Sequence, residues 1–397
     1  MTLVCCGWQH ATAPAPGGGL EELAVVIITA RGVTAQSPRV LITANIHGPE
    51  VCPCIVAHRL IEHCEAAMEA GTLRGTVVVY PSLNPTGHRA LSRHPQFENA
   101  LESDPNRAWP DFNPFKRTAA NKLLEGDALK RFYDLEVTNT TPIEKCWAAL
   151  FDVWRPAGFA IHLDLHTMGN HLCNPFAYLH PTLYSENDPS FTKEDADVLA
   201  AKMKELHGAI GLSILVEPPA STYIKNNTHR TTVGAVLNGL HIPSSTLELG
   251  PHSVVDPAAR DAGLQGCKNA LVLAGCLPGE PIKPLDGIVR ANVNLDNLHR
   301  VLSNYPRAPC AGIVDYQVPA GTPFKRGDLL AIMRGMDGQR RAEVRAEIDG
   351  FVVAWGTGVD KHEGQSLGMV GTPVGDQGKP VTWEAATGKN VALAARL

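Results

Sequence analysis

The chain has 397 residues, 44% of them hydrophobic and 19% charged, a balance that supports a large buried core and excludes a disordered chain. Lys and Arg number 35 against 40 Asp and Glu, giving a net charge of −5 and no basic stripe of the kind nucleic acid requires. The 10 Cys are scattered without C-x-x-C spacing and read as reduced core thiols, no apolar run reaches the ~18 residues of a membrane span, and the amino-terminal MTLVCCGWQHATAPAPGGG lacks the regions of a secretory signal. A cytoplasmic location follows as the expectation, with neither nucleic acid nor membrane as partner.

In chain order, APAPGGG (13–19) is a breaker cluster that predicts a turn. The β-branched runs 23–32 and 39–48 predict strands, the second buried on both faces. Apolar spacing over 51–70 predicts a helix stopping before Gly71, and 75–85 predicts a third strand. Strand, helix, strand in this order implies a parallel sheet with a right-handed crossover. The stretch 82–142, rich in Pro and Asn, carries little periodicity, as long functional loops do. Helices are expected at 143–154, 191–208 and 256–275, and strands at 157–167, 211–217 and 242–250. LPGEPIKPL (277–285) has the composition of a linker, and 286–397 changes to short strand-like runs between Gly turns, an all-β pattern.

The strand at 39–46 runs directly into His47-Gly48-Pro49-Glu50. Ligands of open α/β sheets sit beyond the carboxyl ends of the strands, so His47 and Glu50 stand where chemistry is expected. Gly48 is read as the residue that turns the backbone and Pro49 as part of the helix's first turn. A catalytic zinc needs three protein ligands and one open position. His166, which closes the strand FAIHLDLH, supplies the third, with Asp164 on the same face as its supporting carboxylate. An H-x-x-E pair alone arises often by chance, and His162 is read as a packed histidine. The joint placement at two strand ends is what favours a metal. Two histidines and a carboxylate also suit iron(II), but the oxygenases that use them are β-barrels by analogy, and this region reads α/β.

NIHGPE (45–50), PSLNPTGHRALSRHP (81–95), DPNRAWP (104–110), LDLHT (163–167) and TLELG (246–250) together resemble the zinc carboxypeptidase-like superfamily. Within it the chain is most similar to the succinylglutamate desuccinylase/aspartoacylase branch, over roughly residues 40–250. The resemblance implies an α/β fold with a zinc carboxypeptidase-like mixed sheet flanked by helices, in residues 1–280. A small all-β C-terminal domain, residues 286–397, follows; it is similar to a biotinyl-carrier barrel but lacks the M-K-M lysine. One Zn2+ per chain would be held by His47, Glu50 and His166. Glu248 would be the general base, Asn106 and Arg107 would bind a substrate carboxylate, and Arg93, with Arg89 close by, would offset charge on the oxyanion. D-P-N-R stands where D-L-N-R is commoner, which alters the acid-binding pocket.

The expected reaction is hydrolysis of the amide bond of a small N-acylated amino acid or amine. A zinc-activated water attacks and a Glu carboxylate, its pKa raised by burial, moves the proton. The partner is thus a small-molecule N-acyl substrate, and homo-oligomer formation through the β-region stays open. The alternatives are a zinc carboxypeptidase and a catalytically inactive binding protein on the same fold.

Overall fold

The β-branched runs assemble into a mixed sheet with helices against both faces. The computed structural model describes residues 6–14, 20–96, 104–117, 120–135, 141–169, 171–282, 299–302 and 304–373, with positions 382 and 384. The elements of the first part are β1 (Cys6–Pro14), β2 (Leu20–Thr29), β3 (Arg39–Ala44), α1 (Val51–Glu69), β4 (Thr76–Tyr80), α2 (Pro85–Ala90), α3 (Gly126–Leu135), α4 (Pro142–Trp154), β5 (Ile161–His166), β6 (His171–Cys173), β7 (Phe176–Leu179), α5 (Lys193–Ile210), β8 (Ser213–Val216), α6 (Ala220–Lys225), α7 (Thr232–Gly239), β9 (Ser244–Glu248) and α8 (Pro257–Leu273). The strand order is β1-β2-β4-β3-β5-β9-β7-β8. The centre, β4-β3-β5-β9, is parallel, as the crossover pattern requires, whereas β1-β2, β2-β4 and β9-β7 are antiparallel.

On β3, Val40, Ile42 and Ala44 pack with α1 and α8, while Leu41 packs on the other face with α4 and α7. This is the strand read as buried on both faces. The helices begin where side chains satisfy their free N–H groups: Thr141 and Glu144 form a capping box on α4, and Thr192 with Asp195 does so on α5. No helix among the described residues is long and apolar enough to cross a membrane.

Several expectations are corrected. β1 lies in the amino-terminal stretch left unassigned, and it takes in the first two residues of the expected 13–19 turn; residues 15–19 lie outside the described residues. The 82–142 stretch is less irregular than expected, since it contains α2, a 3-10 turn at Pro105–Arg107 and α3. α2 is too short for a periodic signal. α7 escaped because it is buried on all sides from Thr232 to Asn238, which erases any amphipathic period. The linker expected at 277–285 forms no helix or strand as far as residue 282, and the remainder lies outside the described residues.

The C-terminal region is all β: β10 (His299–Leu302), β11 (Gly312–Tyr316), β12 (Pro323–Phe324), β13 (Leu329–Arg334), β14 (Arg340–Arg345), β15 (Gly350–Gly356), β16 (Asp360–Lys361) and β17 (Gly368–Pro373). Four of its strands form a sheet ordered β14-β13-β11-β16. The others extend the main sheet: β10 pairs with β8 on one side and β17 on the other, followed by β15 and β12, and β6 also pairs with β15. Phe351, Val353 and Ala354 of β15 pack with Phe176 and Leu215, and Met168 and Tyr178 lean on the same cluster.

Candidate active site

The turn after β3 is shaped by Asn45. Its φ of 54° puts it in the left-handed region. Its buried amide donates to the carbonyls of His47, Gly48 and Glu50 at 2.9–3.1 Å, while Ser82 Oγ donates to its Oδ1. This replaces the role expected of Gly48, which is not at positive φ. Gly48 is required by close approach: a Cβ there would lie 2.1 Å from the Gly87 carbonyl carbon. The PSLNPTGHRALS segment is thus pressed against the turn, and Asn84 donates to the Ile46 carbonyl. Pro49 falls outside the helix, because Glu50 is the N-cap of α1. The positive end of the helix dipole therefore favours the Glu50 carboxylate.

His47, Glu50 and His166 are buried together, with one donor atom of each within 4.8 Å of the others. His47 Nδ1 lies 2.8 Å from Glu50 Oε1 and His166 Nδ1 lies 3.0 Å from Glu50 Oε2. Oε2 nevertheless has no hydrogen-bond partner, so a buried carboxylate oxygen is left for a further group. Burial works to raise the Glu50 carboxyl, but the flanking histidines outweigh it and hold the group well below the carboxylate range. Burial likewise lowers His166, and Glu50 and Asp164 on either side more than reverse this. Two imidazoles and a carboxylate converging by their Nδ1 and Oε atoms form a donor set that fits a zinc-like cation.

Each histidine is oriented from behind. His166 Nε2 is 2.8 Å from Asp164 Oδ2, and His47 Nε2 is 3.0 Å from Asp104 Oδ1. Asp164 lies on the face expected of it. It accepts from Thr43 Oγ1 at 2.6 Å, and Thr43 in turn stands 2.9 Å from His162 Nε2. His162 is a fully buried packed histidine whose pKa burial pushes down to about 4. As a neutral ring donating through Nε2 to Thr43 Oγ1, it carries no proton on Nδ1, and that buried nitrogen has no partner. Asp104 was missed in the sequence, although it heads the motif that supplied Asn106 and Arg107. Its second oxygen accepts from Arg93 at 2.7 Å.

The group lines a cavity of about 1220 Å³. Arg93, Asn106, Arg107 and Glu248 also line it, whereas Arg89 does not. Glu248 closes β9 directly beside His166, and its Oε2 is buried without a partner. Burial pushes this carboxyl up to about 7, with Glu50 adding to the rise and His166 opposing it. Asn106 is less free than expected: its Oδ1 accepts from the Thr232 N–H and hydroxyl, and its Nδ2 lies 3.4 Å from His166 Nε2. Arg107 donates to the Asn106 carbonyl through Nη1 and makes no ion pair among the described residues.

This segment is anchored from below. Trp109 stacks between Trp147 and Trp154 at 5.0 and 5.1 Å, Trp147 Nε1 donates to the Pro105 carbonyl, and Asp111 meets His229 and Lys116. Other wall residues gave no sequence signal. His252, 2.7 Å from Thr167 Oγ1, and His180, bonded to Tyr223 and Thr246, lie outside the recognised motifs. None of the described lining residues comes from the C-terminal strands, which prop the wall through Met168 and Tyr178.

The catalytic-domain model of the succinylglutamate desuccinylase/aspartoacylase family matches residues 36–274. Among curated proteins none matches the chain. Solved structures with the same fold include a succinylglutamate desuccinylase/aspartoacylase from Rhodobacter sphaeroides, 18% identical with a TM-score of 0.62 over 93% of this chain and 96% of that one. The product-bound ectoine utilization protein EutE (DoeB) from Ruegeria pomeroyi is 19% identical, with a TM-score of 0.61 over 92% and 94%. An aspartoacylase family protein from Mesorhizobium loti is 16% identical, with a TM-score of 0.58 over 93% and 95%. At these identities the structures speak for the fold alone. Together with the family match over more than half of the chain and the buried His-Glu-His group, they lead to one conclusion: the chain belongs to the succinylglutamate desuccinylase/aspartoacylase family of hydrolases.

Proposed function

We propose that the chain is a zinc-dependent deacylase that hydrolyses the amide bond of a small N-acylated amino acid. The observation that carries this reading is the Glu248 carboxylate. Its Oε2 is buried without a partner on the strand next to His166, and the side chain lines the cavity that also holds His47, Glu50 and His166. A zinc ion held by His47, Glu50 and His166 would supply a water acidified to a pKa of ~7 and a Lewis acid for the amide carbonyl.

The remaining steps belong to the protein's own groups. Glu248, poised near neutrality, accepts a proton at a carboxylate oxygen as the amide is attacked and returns it to the leaving amine. Asp104 and Asp164 hold the two imidazoles in register. Arg93, tethered by Asp104 at the rim of the site, offsets charge on the oxyanion. Arg107 takes the substrate carboxylate, for which its planar fork is suited. We assign Asn106 a positioning role, since its side-chain Oδ1 is already engaged by the Thr232 N–H and hydroxyl. The cytoplasm remains the proposed compartment, supported by the described cysteines, such as Cys52 and Cys64, being free thiols.

The test is elemental analysis of the purified protein together with release of amine from a panel of N-acyl amino acids. We expect one zinc per chain and turnover that a chelator abolishes. Zinc-free protein that still turns over these substrates overturns the assignment.

A further inference from the structure

The cavity has a second charged wall that the metal group and Glu248 leave unused. Glu217 follows β8 by one residue and lines the cavity. Its backbone N–H is tied to the Leu179 carbonyl at 3.0 Å, and Pro218 and Pro219 stiffen the chain beyond it. The side chain is half-buried, and its carboxylate has no hydrogen-bond or ion-pair partner among the described residues. Burial drives the carboxyl up to about 7, and the charge of Arg107 opposes the rise without forming an ion pair.

Its neighbours do not relieve it. Tyr178 and Tyr223 are near enough for the Glu217 charge to raise both hydroxyls. His180, on the same wall, is held between Tyr223 and Thr246, and burial lowers its pKa to about 3, so it is a neutral ring with no charge to offer. Lys193, also on the lining, is paired with Asp197. A half-buried carboxylate that faces a cavity without a protein partner loses its solvation when a substrate fills that space, unless the substrate brings an opposite charge. Within one cavity the chain therefore presents a guanidinium, at Arg107, and a separate carboxylate, at Glu217.

We propose that Glu217 is a specificity-determining residue that receives a cationic side-chain group of the substrate while Arg107 receives its carboxylate, so that the favoured substrates are N-acyl derivatives of basic amino acids. This rests on the deacylase reading above and narrows it. An amino acid with an ammonium side chain carries both complements once its α-amine is acylated. A neutral or acidic side chain would leave Glu217 buried against nothing or against a like charge.

The experiment compares kcat/KM for Nα-acetylornithine, Nα-acetylnorvaline and Nα-acetylglutamate in the wild type and in Glu217→Gln. We expect the wild type to favour the ornithine derivative over the norvaline derivative by at least about tenfold, which is about 1.4 kcal/mol. The ratio should fall toward one in Glu217→Gln. Turnover of all three at similar rates, or a preference for the glutamate derivative, overturns the proposal and leaves the deacylase reading intact. If no N-acyl amino acid is turned over, the deacylase reading fails, and calorimetry of free ornithine against norvaline decides the matter. Selective binding of ornithine, weakened about tenfold in Glu217→Gln, supports the role of Glu217, and equal or absent binding overturns it.

Discussion

Asp104 bonds His47 with one carboxylate oxygen and Arg93 with the other, so a single side chain links the metal group to the rim of the cavity. Replacing it with Asn leaves the volume unchanged but removes the charge that fixes the His47 ring. We expect Asp104→Asn to weaken zinc affinity about 10- to 100-fold, as measured by competition with a chelator. An affinity within a factor of two of the wild type would remove Asp104 from the site's support. Glu248 makes a different prediction. Glu248→Gln should retain a full complement of zinc and lose turnover by about 10³-fold or more, since general acid–base groups contribute on that scale. Metal content and kcat measured on the same sample separate the two roles. His166 closes a strand whose apolar run is clear in the sequence, and His47 and Glu50 follow another, which made them legible as candidate ligands, whereas the role proposed for Glu248 came from the family resemblance. Asp104 was not legible, because it sits in a non-repetitive turn where nothing in the pattern says which carboxylate reaches back to a histidine 57 positions earlier. Glu217 carries no motif at all and became visible only as part of a cavity wall.

The 104–113 segment, whose regular structure is limited to one 3-10 turn, is held by side chains from other elements. Stacked tryptophans fix it from one side, and Asp111 ties it to His229, next to the start of α7. Burial of Asp111 would raise its carboxyl, but His229 and Lys116 outweigh that and bring it from 3.8 down to about 2. A folded-state value below the unfolded one means that the contribution is complete above about pH 4 and is lost as the pH falls through about 2. Its size is about 2 kcal/mol. Asp111→Asn should therefore lower stability to denaturant by about that amount at pH 7 and by much less at pH 2. An equal loss at both pH values would show that packing, not charge, accounts for it. At this scale the sequence resolved long elements well: α1, α4, α5 and α8 lie within a few residues of their expected positions. It failed for α2 and β6, which are too short to show a period, and for α7, whose burial on all sides removes the contrast that periodicity relies on. The turn of His47 to Glu50 was located correctly but explained by the wrong residue, because the left-handed position at Asn45 and the crowding between Gly48 and Gly87 depend on a segment 40 positions away.

Across the molecule, the change of composition near residue 280 is the basis for the proposed division into residues 1–280 and 286–397. The hydrogen bonding between strands is not divided in the same way, because β8, β10 and β17 are neighbours in one sheet. The C-terminal strands therefore act on the cavity from a distance. Phe351 is almost fully buried against Phe176 and Leu215, in the cluster that supports Met168 and Tyr178. Phe351→Ala should cost about 3–5 kcal/mol of stability by removing a buried ring. It should also raise KM while leaving zinc content unchanged. Zinc loss on a par with the rise in KM would mean that the cluster supports the metal group itself. No sequence pattern announced this arrangement, since the pairing of β6 with β15 joins residues about 180 positions apart through a three-residue strand.

The position of β10 also bears on how the chain can be cut. β8 is covered along one side by β10 at the pairs Leu215–His299 and Val216–Arg300. A polypeptide ended at residue 282 would leave that side of β8 as a naked sheet edge, with unpaired N–H and C=O groups beside the apolar Ile214 and Leu215. Such an edge is a template for another chain to add its own strand. The shortened protein should accordingly sediment as growing oligomers even if its metal group is intact, and the C-terminal strands would then count as a guard against self-association as much as a support for the cavity.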